Sequence, residues 1–270
     1  MKRIVTVQDV SCIGKCSLTV ALPILSAMGL ETAVLPTAVL STHTAFDGFT
    51  FRDLTSDIGG ILDHWKKEGF SFDAVYSGYL GSREQIDLVR RTWKEFSGPE
   101  TLHIVDPAMA DNGNLYPGFD AAFVEAMKSL CAKADFVVPN ITESCFLTGL
   151  EYKANYDKAY IDAHIEALTN LGCKNIVLTG ISYRPGKTGI EVVENGVRRY
   201  YEHDLQPNSC HGTGDLFAAV FTGAWTQGKT IPEAATLAAK FVEQVIAATP
   251  AATPFGVRFE EKLPWLWEHL

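Results

Sequence analysis

The alternation of short apolar runs with longer amphipathic segments is the feature that most constrains the fold of this chain. Six runs are largely apolar or β-branched: 3–8, 32–35, 74–77, 102–105, 136–138 and 176–178. Six helical patterns lie among them: 17–28, 53–67, 82–96, 119–132, 156–171 and 216–227. Continuously apolar strands are typical of a parallel sheet that is covered on both faces. The pattern therefore predicts an α/β fold with a central, mostly parallel sheet and helices on both faces.

The C-terminal third departs from that alternation. Residues 189–193 and 198–203 are two strand-like runs around an Asn-Gly pair at 195–196, and Asn-Gly is a strong hairpin turn. We expect an antiparallel hairpin at the edge of the sheet. A polar loop over 204–211 then leads to an apolar helix and to an alanine-rich helix over 232–248. Because no repeat or linker divides the chain, all 270 residues are predicted to form one domain.

The charge balance argues against some partners. The chain has 23 Lys and Arg against 32 Asp and Glu, a net charge of −9, and its basic residues never cluster beyond two. Such a chain repels polyanions, so we expect no nucleic-acid partner. The longest nearly uninterrupted apolar stretch, 216–225, is about half of a membrane span, and the N-terminus does not have the pattern of a signal peptide. We expect a cytoplasmic protein without a membrane partner.

The six cysteines are scattered along the chain. They form no Cys-x-x-Cys pair, and no histidine lies at the spacing of a zinc finger. We therefore expect reduced thiols that fill space. Cys12 and Cys16 are four residues apart, and we interpret them as small residues at the start of a helix.

The first candidate site is Gly212-Thr213-Gly214-Asp215, where the polar loop enters a helix. Two glycines allow backbone N–H groups to converge on an anion, with the helix dipole behind them. The alternative is an ordinary helix start in which Asp215 only complements the dipole, and these four residues alone leave both interpretations open. Beside a phosphate cradle, a fixed carboxylate can accept the proton of an alcohol that attacks phosphorus.

Other polar residues follow two of the predicted strands. Asn140 and Glu143 are three residues apart at a helix start. They form either a capping box or an oxygen-rich partner for Mg²⁺ on a nucleotide phosphate. Asp106 ends a strand before Pro107, and it either starts a turn or holds water on the same cation. Taken singly, each of the three is better explained by structure.

Taken together, these loops resemble the ribokinase-like superfamily and, within it, the bacterial pyridoxal and pyridoxamine kinases. The similarity extends from Val7 to about Ala248. It rests on four motifs: Ser77-Gly78-Tyr79-Leu80-Gly81-Ser82, Asp106-Pro107-Ala108-Met109, Pro139-Asn140-Ile141-Thr142-Glu143 and Gly212-Thr213-Gly214-Asp215. Four short motifs in this order, each after a predicted strand or at a helix start, are far more specific than any one of them.

The resemblance implies an enzyme that transfers the γ-phosphoryl group of ATP to the 5′-hydroxymethyl group of pyridoxal, pyridoxine or pyridoxamine. Asp215 would then be the general base. The backbone amides of Gly212, Thr213 and Gly214 would form the anion hole for the charge that develops during transfer.

The resemblance also implies where the nucleotide and its ions bind. Asp106 and Glu143 would hold Mg²⁺, and together with Asn140 they would surround the nucleotide phosphates. Thr179 and Thr213 would contact the nucleotide. The family commonly uses a monovalent cation such as K⁺, and the resemblance suggests a homodimer.

For the vitamin ring, the matching positions are Asp9, Thr44 and Tyr79, and Cys210 lies beside the Gly-Thr-Gly-Asp loop as a pocket residue. A polar trio with one aromatic wall suits a hydroxylated pyridine. Many pyridoxal kinases have serine where this chain has Asp9, and a carboxylate there alters the preference among vitamers or favours another ring. The segment 110–118 is rich in turn formers, and we expect it to close over the phosphates.

Two other functions remain as alternatives. A hydroxymethylpyrimidine kinase of thiamine synthesis has a similar fold and base but a different ring. A non-catalytic protein that binds vitamin B6 is disfavoured, because Asp215 and both glycines are present.

Overall fold

A computed structural model describes residues 1–206, 210–250 and 253–270, so residues 207–209 of the predicted polar loop lie outside the described residues. The strands are β1 (Arg3–Ser11), β2 (Glu31–Leu40), β3 (Phe51–Asp53), β4 (Phe72–Ser77), β5 (Ser97–Val105), β6 (Ala110–Asp111), β7 (Asn114–Leu115), β8 (Phe136–Val137), β9 (Asn175–Ile181), β10 (Lys187–Glu194) and β11 (Val197–Asp204). The helices are α1 (Leu18–Ala27), α2 (Thr55–Lys67), α3 (Arg83–Phe96), α4 (Ala121–Cys131), α5 (Ile141–Thr148), α6 (Lys158–Leu171), α7 (Thr213–Thr226), α8 (Ile231–Ala248) and α9 (Leu263–His269).

In the described part of the chain, nine strands form one sheet in the order β11-β10-β9-β8-β5-β4-β1-β2-β3. The strands from β2 to β9 in this order pair in parallel, whereas β10 and β11 pair antiparallel at one edge. Asn195 and Gly196 have φ of 50° and 80°, as the predicted hairpin turn requires. The predicted α/β class, the mostly parallel sheet and the antiparallel edge hairpin are confirmed.

Helices cover both faces of the sheet because successive strand residues point to opposite sides. Ile4 packs into a cluster formed with α1, α7, α8 and α9, whereas Val5 and Val7 pack into a cluster formed with α2 to α6. Burying each such side chain contributes about 1.5–3 kcal/mol. No helix among the described residues combines the length and the apolar character needed to cross a bilayer.

Some predicted boundaries are wrong, and β1 matters most for the site. The first strand was predicted over 3–8, but Val10 and Ser11 continue the pairing with β2 beyond an irregularity between Gln8 and Val10. Gln8 and Asp9 are both buried, so Asp9 lies within the strand rather than after it. The short strand β3 pairs antiparallel with β2 at the second edge and was not predicted.

Candidate active site

The carboxyl ends of the parallel strands meet at one edge of the sheet, where ligands bind in open α/β folds. Along this edge the order of strands is β9, β8, β5, β4 and β1. They bring Thr179, Asn140, Asp106, Tyr79 and Asp9 onto the same edge, in that order. The topology therefore unites candidate residues that are up to 170 positions apart in the sequence.

Helix α7 begins at this edge with Gly212 as its N-cap. Gly212 has a φ of 83°, and a Cβ there would collide with the Lys15 carbonyl oxygen. Glycine is therefore required at 212 by the fold itself. Helices α3 to α6 have N-cap side chains that accept hydrogen bonds from backbone N–H groups, whereas α7 has no such side-chain cap.

Gly214 is glycine for a different reason. It lies in the first turn of α7, it is exposed, and a Cβ added there would meet no atom within 4 Å. Glycine costs about 1 kcal/mol relative to alanine inside a helix, and nothing within the protein requires it at this position. The open space beside the uncapped N–H groups fits a bound anion.

Asp215 lies in the same turn and is half-buried. Burial raises the pKa of its carboxyl group, while hydrogen bonds from the Ser17 backbone N–H and the Cys16 thiol act in the opposite direction. The charge of Asp215 also contributes, after burial, to the raised pKa of both Asp9 and Asp106. Asp215 therefore lies within electrostatic reach of both the β1 end and the β5 end of the site.

Asp9 is only 4% exposed, and the Ser11 hydroxyl donates to it at 3.5 Å. Burial raises the pKa of Asp9 to about 6, although a hydrogen bond from the Ser17 side chain acts to lower it. Burial and the charges of Asp215 and Asp9 also raise the pKa of the Cys16 thiol, which keeps the thiol protonated. The site thus contains a thiol close to two carboxylates.

The role of Cys16 was missed by the sequence interpretation, which treated it as a small residue at a helix start. Its position depends on how the chain folds back after β1, where Ser17 pairs with Val10 in an isolated antiparallel bridge. Ser17 has a φ of 51°, in the left-handed region that non-glycine residues seldom adopt. The spacing of residues along the sequence does not indicate this chain reversal.

Asp106 and Glu143 are 8% and 3% exposed. Burial raises the pKa of each carboxyl group well above its usual value. The charge of Asp215 raises the pKa of Asp106 further, and the charge of Asp106 raises the pKa of Glu143 further. Among the residues that the structure describes, neither carboxylate forms an ion pair with Lys, Arg or His, and the same holds for Asp9 and Asp215. The site is therefore a concentration of uncompensated negative charge.

Asn140 and Glu143 form the capping box that the sequence left as one alternative. The Asn140 side chain accepts from the Glu143 N–H, and Glu143 accepts from the Asn140 N–H, both at 2.8 Å. The second Glu143 oxygen accepts from the Met109 N–H at 3.3 Å. The Asn140 amide donates to the Ala110 carbonyl at 3.0 Å. The start of α5 is thus tied to the loop that follows Asp106.

Two other predicted residues line this edge, and both are half-buried. Thr179 lies within β9, and its N–H donates to the Pro139 carbonyl at 3.0 Å, which places it beside Asn140. Tyr79 is half-buried with its ring 5.5 Å from that of Phe119. Burial, with the charge of Asp9, raises the pKa of Tyr79 to about 12.

Cys210 and Thr44 complete the set of predicted residues. Cys210 is half-buried against the cluster that contains α7, and its carbonyl accepts from the Thr213 hydroxyl at 3.4 Å. Thr44 is exposed in the loop after β2, and within the described residues no hydrogen bond connects its side chain to Asp9 or Tyr79. The structure therefore brings Thr44 to the periphery rather than into the cluster.

The predicted closing segment 110–118 contains the two-stranded hairpin β6-β7, which turns at Asn112 and Gly113 with φ of 49° and 80°. The Gly113 N–H donates to the Thr142 hydroxyl on α5 at 3.1 Å. Tyr116 follows the hairpin, and burial together with the charge of Glu143 raises its pKa. Tyr116 therefore lies within electrostatic reach of Glu143, and it was not identified from the sequence.

Comparison with known proteins gives a consistent family. The family model for phosphomethylpyrimidine kinase matches residues 62–257. A protein of Bordetella avium (strain 197N) named pyridoxine/pyridoxal/pyridoxamine kinase is 28% identical over 92% of this chain and 86% of its own. The crystal structure of pyridoxal kinase from Lactobacillus plantarum is 30% identical, with a TM-score of 0.90 over 99% of this chain and 97% of its own.

A further similar structure comes from Bacteroides thetaiotaomicron VPI-5482, in a crystal form with pyridoxal and under the description of a phosphomethylpyrimidine kinase. It is 39% identical, with a TM-score of 0.91 over 98% of this chain and 95% of its own. Fold and comparisons define a kinase of the ribokinase-like class. The chain belongs to the phosphomethylpyrimidine kinase family, and it is a phosphotransferase of the pyridoxal kinase type.

The two glycines of α7 give a matched test. We expect Gly214→Ala to stabilise the fold by up to about 1 kcal/mol, because alanine is the better helix former and its methyl group meets open space. Gly212→Ala should destabilise it by at least about 2 kcal/mol through backbone strain and collision with Lys15. Kinase activity should fall in both variants. Urea unfolding and steady-state kinetics measure these effects, and a fully active Gly214→Ala variant would show that the open space does not receive the phosphate.

The raised pKa of Asp9 gives a pH test. The pKa of the Asp9 carboxyl group is about 6 in the folded protein and 3.8 in the unfolded chain. Ionisation of Asp9 therefore lowers the free energy of unfolding. The full loss applies above pH 6 and decreases as the pH falls towards 4. We expect Asp9→Asn to raise the free energy of unfolding by up to about 3 kcal/mol at pH 8 and by roughly half as much at pH 5. Urea titrations at both pH values measure this, with Asp47→Asn in an exposed loop as control. A variant less stable than the wild type at pH 8 would contradict the assignment.

Proposed function

We propose that this protein phosphorylates the 5′-hydroxymethyl group of a vitamin B6 vitamer, using ATP. The observation that carries the proposal is the position of Asp215. It lies in the first turn of a helix without a side-chain cap, within electrostatic reach of Asp9 at one end of the site and of Asp106 at the other. A base in that position can serve an alcohol bound near β1 that attacks a phosphate bound near β5 and β8.

Asp215 would accept the proton of the hydroxymethyl group as the oxygen attacks the terminal phosphorus. Its raised pKa makes it a stronger base than an exposed aspartate, and the Ser17 N–H and Cys16 thiol hold the carboxylate in place. The free N–H groups of Gly212, Thr213 and Gly214 would bind the oxygens of the phosphoryl group as charge develops on them.

The donor set at the phosphate end fits Mg²⁺. Asp106 and Glu143 supply hard oxygen ligands, and no basic residue in the described part of the chain neutralises them. The described residues contain no group of three or more side chains that could hold a metal. Mg²⁺ usually binds one or two carboxylates and completes its shell with phosphates and water. When bound, the ion neutralises phosphate charge, while Asn140 and Thr179 would contact the nucleotide beside it.

The vitamin ring would lie at the β1 and β4 end. Tyr79, backed by Phe119, offers an aromatic wall, and Asp9 offers a buried acceptor for a ring N–H or hydroxyl group. Cys210, two residues before Gly212, would border the ring from the α7 side, and exposed Thr44 would reach it only from the rim. The similar structure with pyridoxal, and relatives named pyridoxal kinase, support a B6 substrate.

A hydroxymethylpyrimidine is the second candidate substrate, favoured by the description of the family model and by Asp9. An ionised carboxylate accepts well from an exocyclic amine or a protonated ring nitrogen, and many pyridoxal kinases have serine at this position. The monovalent cation such as K⁺, the homodimer and the cytoplasmic location stay predictions.

Side-by-side acceptor assays distinguish the two substrates. We expect ATP-dependent phosphorylation of pyridoxal, pyridoxine and pyridoxamine to exceed that of hydroxymethylpyrimidine in kcat/KM. Asp9→Ser should shift the ratio further towards the B6 vitamers, because it removes the ionised acceptor. ADP release measures each rate. Preference of the wild type for hydroxymethylpyrimidine would replace the B6 assignment by the second candidate.

Replacing the base tests the chemistry. We expect Asp215→Asn to lower kcat by roughly 10²–10⁴-fold, the usual contribution of a general base, while the Kd for ADP changes little. Asp57→Asn, in the exposed first turn of α2, is a matched control that should keep full activity. Turnover of Asp215→Asn within a few-fold of wild type would mean that another group takes the proton.

A further inference from the structure

A cluster of polar side chains connects α5 to α6, and three of its four members are buried. We call it the α5–α6 polar cluster, and it consists of Ser144 and Cys145 on α5 with Tyr160 and His164 on α6. Ser144 and His164 are completely buried. Buried polar groups are costly unless they are hydrogen-bonded, so the contacts within the cluster need an explanation.

The contacts form a continuous chain. The Ser144 hydroxyl lies 2.7 Å from His164 Nδ1, and His164 Nε2 lies 3.9 Å from Cys145 Sγ. Cys145 Sγ lies 3.3 Å from the Tyr160 hydroxyl, which donates to the Glu151 carbonyl at 2.8 Å.

The order of donors follows from this chain. The single proton of the Tyr160 hydroxyl is used on Glu151, so its oxygen accepts from the Cys145 thiol. The sulfur then accepts from His164 Nε2–H, which leaves Nδ1 without a proton. The Ser144 hydroxyl therefore donates to His164 Nδ1. Burial lowers the pKa of His164 to about 4, in agreement with a neutral ring.

Ser144 follows Glu143 directly, and the first turn of α5 is held from several sides. The Thr142 hydroxyl accepts from the Gly113 N–H of the β6-β7 hairpin, and Glu143 accepts from the Met109 and Asn140 N–H groups. The hydrogen bond between Ser144 and His164 connects the same turn to α6. Because α5 has only eight residues, its orientation depends strongly on such side-chain contacts.

We propose that His164 is a positioning residue, which through Ser144 fixes the first turn of α5 and so orients the Glu143 carboxylate towards the Mg²⁺-nucleotide. The inference rests on the magnesium role proposed above for Glu143. A shape-filling role in the core would need only an apolar side chain of similar size, whereas the proposed role needs a hydrogen-bond acceptor at Nδ1.

The test compares ADP affinity with and without Mg²⁺, measured by calorimetry on each folded variant. The ratio of the two Kd values gives the affinity gain that Mg²⁺ supplies. Ser144→Ala removes only the hydroxyl group, and His164→Leu removes the acceptor. In His164→Asn, the side-chain oxygen replaces Nδ1. Leu168→Ala, one turn further along α6 and equally buried, is the control for packing loss.

We expect Ser144→Ala and His164→Leu each to reduce the Mg²⁺ gain on the order of tenfold, as loss of a group that orients a metal ligand does. The double variant should lose no more than either single variant. His164→Asn should retain the Mg²⁺ gain. Leu168→Ala should lower the Tm but should also retain the Mg²⁺ gain. An unchanged Mg²⁺ gain in Ser144→Ala would overturn the inference. Equal losses of the Mg²⁺ gain in Leu168→Ala and His164→Leu would overturn it as well.

Glu143→Gln in the same assay separates this inference from the proposed function. If Glu143→Gln loses the Mg²⁺ gain while Ser144→Ala and His164→Leu retain it, only the role of His164 is wrong. If Glu143→Gln itself retains the full gain, the proposed magnesium role of Glu143 fails, and the positioning role fails with it.

Discussion

Uncompensated negative charge at the carboxyl edge of the sheet is the constraint on which the rest of the site depends. Asp9, Asp106, Glu143 and Asp215 come together there without a basic partner, and burial raises the pKa of all four. Like charges in a poorly solvated region oppose folding. The chain tolerates them because backbone N–H groups of Ser17, Asn140 and Met109 donate to them, and because the positive end of α7 faces the same region. What remains is a site that favours a cation accompanied by an anion.

The fold needs only a few sequence positions to produce this arrangement. Each parallel strand ends at the same edge, so one polar residue after each of several strands suffices to assemble the site. Helix α7 adds a part that does not come from a strand end, and its start is fixed by contact between Gly212 and the segment around Lys15. That segment also holds Cys16 and Ser17 against Asp215. One close backbone approach therefore positions both the start of α7 and Asp215, the two groups to which we assign anion binding and proton transfer.

Periodicity was enough to predict the fold class and the edge hairpin, because these depend on local pattern and on the shared edge of a parallel sheet. The candidate residues came from the strand-end motifs and from the family resemblance that those motifs carry, and their roles stay predictions. The position of Cys16 was not predictable, since it depends on a chain reversal at Ser17 with an unusual φ. Tyr116 and His164 were missed for a related reason. Their neighbours at Glu143 and Ser144 are 20 or more positions away, and no spacing rule connects them.

A capping role and a ligand role for Glu143 are compatible, because a carboxylate has more acceptor sites than a helix cap uses. An ionised carboxylate offers about four lone-pair sites, and Glu143 accepts from two backbone N–H groups, one on each oxygen. The remaining sites are available to a cation. The two hydrogen bonds also fix both oxygens in space, so the capping box prepares the carboxylate as a ligand. The same residue can therefore begin a helix and hold Mg²⁺, and its structural role supports its chemical one.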